Sequence, residues 1–364
     1  MKNTFRKTAA LLLSGVLLLT SVSCAASADA MEYGSSSITE NEFRFYLATY
    51  KAKFAQAYAD FKNTSEFYDM ELGDTGMSAE EFLYDAVVHN VKMSLVCDEL
   101  FDEYGLRISS DVTDTIDYYI DDFITEFAGG SKNVFNAALA EYGINAKMLR
   151  EIYLRDERAS AVFSHLFGTG GEMELTDEDR TEYLSENYVR VRHIYVNNKY
   201  TYLYDEDGVP VYTTSGKQQT TSLSDDELAA KNALIAAIDE SIAEGGDFEE
   251  IYEAFSEDKY YENGYYLTKS TDFVDDVVSS AFDLEIGEHI KIESDVGVHY
   301  IMRLEMDDSP WEEDENADFF ENYDSIVADQ LFNAYIESFI DEVIVDQKIL
   351  DSYSVEGSPV NYRF

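Results

Sequence analysis

The spacing of apolar residues changes once, at Tyr188, and that change fixes the architecture open to this chain. From Ile38 to Asn187 the apolar and aromatic residues recur three and four apart, as on the buried stripe of a helix. Tyr188-Val189-Arg190-Val191-Arg192-His193-Ile194-Tyr195-Val196 then alternates with period two and is rich in β-branched and aromatic residues, the pattern of a strand. A helical unit followed by a mixed α+β module is therefore the expected fold class. Only 3 prolines in 364 residues leave room for long uninterrupted helices.

Local signals punctuate the helical part. Thr39 with Glu42, and Ser78 with Glu81, have the S/T-x-x-E form of a capping box. They predict helices from about Ile38 to Asp60 and from Ser78 to Tyr104, the latter stopped at Gly105. Further helices are expected over Ser110–Phe127 before Gly129-Gly130, over Val134–Tyr142 before Gly143, over Ala146–Phe167 and over Thr176–Asn187. In the mixed module, helices are predicted over Asp225–Ala243, Asp247–Phe255 and Phe273–Leu284, with a last strand over Gly297–Leu304. Residues 199–223 are polar and read as an exposed hairpin around Asp207-Gly208. Residues 308–318 read as an acidic linker, and 319–352 as one amphipathic helix that must dock on the N-terminal helices, because a lone helix cannot bury its apolar face.

The first thirty residues read as an export signal: Lys2, Arg6 and Lys7 precede the apolar run Ala9–Leu19, and small residues follow. Two processing routes stay open. Ser21-Val22-Ser23-Cys24 resembles a lipobox that would make Cys24 the lipidated first residue, and Ala26-Ser27-Ala28 offers an A-x-A site for simple secretion. Lipidation is preferred, because a cysteine ending a signal is otherwise unusual. Either route leaves Cys97 as the sole thiol of the mature chain, read as a buried small hydrophobe, and no internal disulfide.

Composition excludes several functions. With 74 acidic against 26 basic side chains and a net charge of −48, the chain has no basic patch for a phosphate backbone, so nucleic acid is not an expected partner and anionic membrane surfaces are repelled. Its 45% hydrophobic and 14% aromatic content is too apolar for a disordered acidic tail. Motifs for α/β-hydrolases, zinc proteases, P-loop NTPases and EF-hands are missing from the sequence.

The strand Val191-Arg192-His193-Ile194-Tyr195-Val196 resembles the opening strand of parvulin-type peptidyl-prolyl isomerases. Gly246-Asp247-Phe248, Phe255-Ser256-Glu257-Asp258, Asn263-Gly264-Tyr265-Tyr266, Ala281-Phe282-Asp283-Leu284 and Asp295-Val296-Gly297-Val298-His299-Tyr300-Ile301 follow in the parvulin order. Phe135–Ile144 and the helix after it resemble the chaperone domain of the exported PrsA/SurA-like foldases. The resemblance implies a signal over 1–30, a helical chaperone-like domain over 31–187, an inserted isomerase module over 188–307, the linker 308–318 and a closing helix over 319–352. It covers nearly the whole mature chain, with 197–223 as the main departure.

What the resemblance implies for the site is specific. His193, Asp258, Ser294 and His299 match the family's polar network, and Tyr266, Phe273 and Val277 match its proline slot, where Val277 stands in place of the usual phenylalanine. Rotation about an X-Pro bond breaks no covalent bond, so no cofactor or metal is implied. The implied partners are unfolded exported chains carrying X-Pro bonds, with membrane attachment only through the lipid at Cys24, and a homodimer stays open. Two other readings compete. One is a catalytically inactive parvulin-fold holdase whose aromatic helices cradle clients; the other is a solute-binding lipoprotein, which would need paired α/β lobes that the leading helices do not supply.

Overall fold

The computed structural model describes residues 27–72, 76–205 and 207–364. The apolar signal run, Cys24 and Ala26 lie outside the described residues. By their contacts the described residues divide into two compact units, 27–172 with 332–364 and 173–331. Helices dominate and the sheets are small, so the fold is α+β. Among the described residues no helix is long and apolar enough to cross a membrane.

The first unit is built on helices Glu40–Ala57, Ala79–Glu103, Ser110–Ala128, Lys132–Leu139 and Ala146–Phe167. Both capping boxes form: Thr39 and Ser78 each accept from the backbone three residues on, and the Glu42 and Glu81 carboxylates reach back to the cap amides. Gly129 and Gly143 end their helices in the left-handed conformation, which glycine adopts without a Cβ clash. Cys97 is buried in the Ala79–Glu103 helix, and burial, helped by the Asp98 charge, pushes its thiol up to about 12. Such a thiol is inert at neutral pH.

Three strands in this unit carry no strong sequence signal. Asp29–Tyr33 pairs antiparallel with Ser36–Thr39 on one side and Ile344–Val345 on the other. Asp29 and Ala30, assigned to the signal by sequence, are thus the start of a strand, and Ala30 is buried. The same sheet breaks the expected 319–352 helix. Asn322 adopts a left-handed φ of 59°, so the helix starts only at Tyr323 and ends at Glu337. The β-branched pair Ile344-Val345 then adds to the sheet edge, with the Asp346 amide donating to the Ala30 carbonyl, before a last turn of helix at Gln347–Leu350.

The second unit holds a four-stranded antiparallel sheet in the order Tyr265–Leu267, Val189–Val196, Val298–Leu304, His289–Glu293. Alternation divides its side chains between two faces. Ile194, Val196, Val298 and Tyr300 pack under Asp225–Ala243 and Phe248–Phe255, while Val189, Val191, Leu267 and Ile301 pack against Asp275–Asp283. A third cluster joins Leu184 and Tyr188 to Tyr266, Phe320, Tyr323 and Val327. It changes the boundaries drawn from sequence. Helix Asp177–Asn187 buries only Leu184, and that contact is with this unit, so the unit starts at Met173 and not at 188. The expected linker is ordered in turns, with Trp311 stacked on Tyr323 at 5.4 Å and Asn316 buried, so the unit runs on to Leu331.

Residues 200–205 and 207–222 form an exposed meander: Tyr200–Tyr202 pairs with Thr220–Ser222, and Gly208, at positive φ, lies where Tyr204 bridges Pro210.

Candidate functional site

Sheet register brings the two histidines together. In the antiparallel pairing Tyr195 lies opposite His299 and His193 opposite Ile301, so His193, Tyr195 and His299 share one face, with the histidines diagonal across the strands. Their rings stack at 5.2 Å between centroids, and His193 Nε2 lies 2.9 Å from His299 Nδ1. Both residues are almost wholly buried, at 3% and 2% exposure.

Asp258 arrives by a different route. The strand Tyr265–Leu267 pairs with Val189–Val191 only, which leaves the edge beyond His193 open. The loop after helix Phe248–Phe255 fills it: the Tyr195 amide donates to Ser256 Oγ, the Glu257 amide donates to the Tyr195 carbonyl, and the Asn197 amide donates to the Glu257 carboxylate. Asp258 Oδ2 is thereby held 3.0 Å from His193 Nδ1 and accepts from the Tyr265 hydroxyl.

Ser294 closes the other end. It sits in the turn between His289–Glu293 and Val298–Leu304, where its Oγ accepts from the amides of Val296 and Gly297 and lies 2.8 Å from His299 Nε2. Gly297 is required there, because a Cβ would come within 2.6 Å of the Tyr195 ring, whose hydroxyl donates to the Val296 carbonyl.

The proton positions follow from the acceptors. Burial would raise the Asp258 carboxyl, but the hydrogen bonds from His193 and Tyr265 outweigh it and hold the pKa below the ordinary carboxylate value. An ionised carboxylate only accepts, so His193 Nδ1 carries hydrogen and its Nε2 accepts from His299 Nδ1–H. Ser294 O–H then donates to His299 Nε2. One direction of donation runs from Ser294 through His299 and His193 to Asp258. Burial, the main cause, pushes the His299 pKa down to about 4, so this imidazole is neutral at pH 7.

The chain Ser294–His299–His193–Asp258 has the residue types of a hydrolase relay but not its chemistry. His299 is too weak a base to activate a hydroxyl, and Ser294 Oγ already accepts two amides. Instead it is a polar floor whose hydrogen bonds are satisfied internally and which carries no charge on His299 at pH 7. Beside it opens a depression of about 580 Å³ lined by Phe273, Val274, Asp275, Asp276, Ser294 and Asp295. The Phe273 ring meets His193 edge to face at 5.4 Å and Tyr265 at 5.7 Å. Among the described residues no cluster of potential metal ligands occurs.

The other residues assigned to the slot lie elsewhere. Val277 is fully buried in the core under the sheet, with Val189, Val191 and Ile301. Tyr266 faces the opposite side of its strand, packs on Phe319 and Phe320 and donates to Asp307 at 2.7 Å. Tyr265, one residue earlier, takes the place beside His193. Strand alternation was the signal that distinguishes the two, because Tyr265 pairs with Val191, on the face of His193, whereas Tyr266 pairs with Arg190.

No family model matches the chain, and neither does any curated protein. Solved structures do. PrsA from Bacillus subtilis is 16% identical, with 78% of this chain and 92% of that one covered and a TM-score of 0.23. The foldase protein PrsA from Streptococcus pneumoniae is 16% identical, with 90% and 93% covered and a TM-score of 0.22. At such scores the likeness adds no weight to the geometry. The chain is similar, at 16% identity over 89% of its own length and 96% of the other and a TM-score of 0.28, to the peptidylprolyl isomerase PrsA from Bacillus cereus.

Proposed function

We propose that this chain is an exported foldase, a peptidyl-prolyl cis/trans isomerase that assists newly exported polypeptides and is held at the membrane by a lipid on Cys24 or, failing that processing, is secreted. The observation that carries the reading is the buried Ser294–His299–His193–Asp258 hydrogen-bond chain opening onto the Phe273-lined depression. An X-Pro bond turns over a barrier of about 18–20 kcal/mol because its C–N bond has double-bond character. A catalyst needs only to favour the twisted imide, in which that character is lost and the nitrogen becomes a better acceptor. Phe273 offers a ring face and edge for the pyrrolidine, and Ser294 would exchange its hydrogen bond to His299 for one to the rotating carbonyl. Neither cofactor nor metal takes part in this scheme.

The test is cis/trans exchange in proline peptides with varied preceding residues, followed by NMR line shape. The protein should accelerate exchange, and His193→Ala with Asp258→Ala should abolish the effect. Phe273→Ala, at a half-buried position, should cut it at least tenfold, about 1.4 kcal/mol in the barrier, in a variant whose melting shows it folded. A folded wild type that accelerates no peptide overturns the isomerase. A second reading, the holdase, draws on Val277, whose burial leaves the slot without the ring that the family carries there; in that case the protein delays client aggregation equally well with and without His193.

A further inference from the structure

Helices Ser110–Ala128 and Ala146–Phe167 pack on each other and leave an open cavity of about 520 Å³, within the roughly 300–1,000 Å³ of ligand pockets. Val112, Ile116, Tyr119 and Phe123 line it from one stripe of the first helix, and Tyr153 faces them from the second. Asp111, Asp156 and Glu157 stand at its rim. The side chains of these three make no hydrogen bond or ion pair among the described residues. Of the nearby cations, Arg150 is on Asp117 and Arg155 is buried on Glu42 and Asp98, while Lys53, over the Tyr50 ring at 5.0 Å, makes no ion pair with Asp156.

An aromatic floor under a carboxylate rim recognises a particular chemistry. The apolar stem of a lysine or arginine lies along the rings, its charge sits over a π face, and the head pairs with a carboxylate. The stripe is closed at its far end, where the Phe364 ring meets Phe123 and Phe127 edge to face at 5.8 Å each. From Val112 to Phe123 it runs about 16 Å at 1.5 Å per residue, enough for about five residues of extended chain.

We propose that this groove docks extended basic stretches of polypeptide, with a lysine or arginine side chain on Tyr119 and Tyr153 against Asp156 and Glu157. The identification of that polypeptide as a folding client rests on the foldase reading. The test uses fluorescence anisotropy with the full chain and a labelled, proline-free peptide alternating lysine with leucine, beside a twin with glutamine for each lysine. The lysine peptide should bind at least about tenfold more tightly, a difference of about 1.4 kcal/mol. Asp156→Asn with Glu157→Gln should remove that advantage, and Tyr119→Ala should weaken binding several-fold. Asp225→Asn with Asp226→Asn, the same charge change on another helix, should leave it within twofold. Equal losses in both double variants would reduce the effect to general attraction by an acidic protein and overturn the proposal. Full affinity in the groove variants, or competition by lysine amide as strong as by the peptide, would also overturn it. Asp156 and Tyr119 are exposed, so the variants should melt with the wild type. A peptide without proline says nothing of X-Pro rotation, so this result and the exchange experiment fail or stand separately.

Discussion

His299 has no use for a second proton. Its Nδ1–H is given to His193, its Nε2 receives the Ser294 hydroxyl, and burial brings its pKa to about 4 from 6.5. Because the folded value lies below the unfolded one, the unfolded chain takes up the proton first as pH falls. The stabilisation is therefore complete above about pH 6.5 and is lost between there and pH 4. At about 1.4 kcal/mol per unit the loss reaches about 3 kcal/mol at most. Urea unfolding at pH 7 and pH 4.5 should show it, and His299→Gln should flatten that part of the pH dependence; an unchanged slope in the variant would place the titration elsewhere. At this scale the sequence was legible by residue type and family position, which named four residues that make one hydrogen-bonded chain. Alternation puts Tyr265 and Tyr266 on opposite faces, but which of them faces His193 is set by the long-range register that pairs Tyr265 with Val191.

Helix limits were read well because each end carries its own chemistry within four residues, as at Thr39, Ser78 and Gly129. The strands Asp29–Tyr33 and Ile344–Val345 have no such local signal; their pairing joins residues more than 300 positions apart. The buried ion cluster that secures the first sheet to its helices is equally non-local. Arg155 donates to Glu42 at 3.0 Å, to Asp98 at 3.3 Å and to the Ser37 carbonyl at 3.2 Å, so that one guanidinium joins a strand and three helices. Arg155→Met would leave Glu42 buried without a cation, whereas Asp98 would keep Arg158 at 2.5 Å. The expected loss is about 3–5 kcal/mol in urea unfolding, the cost of an orphaned buried charge. Adding Glu42→Gln to Arg155→Met should recover a good part of it, because the amide still accepts at the helix cap while the uncompensated charge is gone. No recovery would mean that the geometry of the fork, and not the charge, is what matters.

For the molecule as a whole, the division of the chain makes a statement that sequence boundaries do not. All three buried clusters of the second unit draw their residues from within 173–331. A fragment over 173–331 should therefore fold by itself and give a dispersed NMR spectrum with the two histidine rings in slow proton exchange. A fragment over 188–307, the boundaries suggested by motif order, would lack Leu184, Phe320, Tyr323 and Val327 and would expose Tyr266. Each large apolar side chain removed from such a cluster is worth roughly 1.5–3 kcal/mol, and a domain of this size has only about 5–15 kcal/mol in hand. The shorter fragment should thus melt far below the longer one or fail to fold, though it contains every residue of the hydrogen-bond chain. Equal melting temperatures would show that Tyr188 and Tyr266 need no cover, and that the aromatic cluster is an accessory to the module and not part of its core.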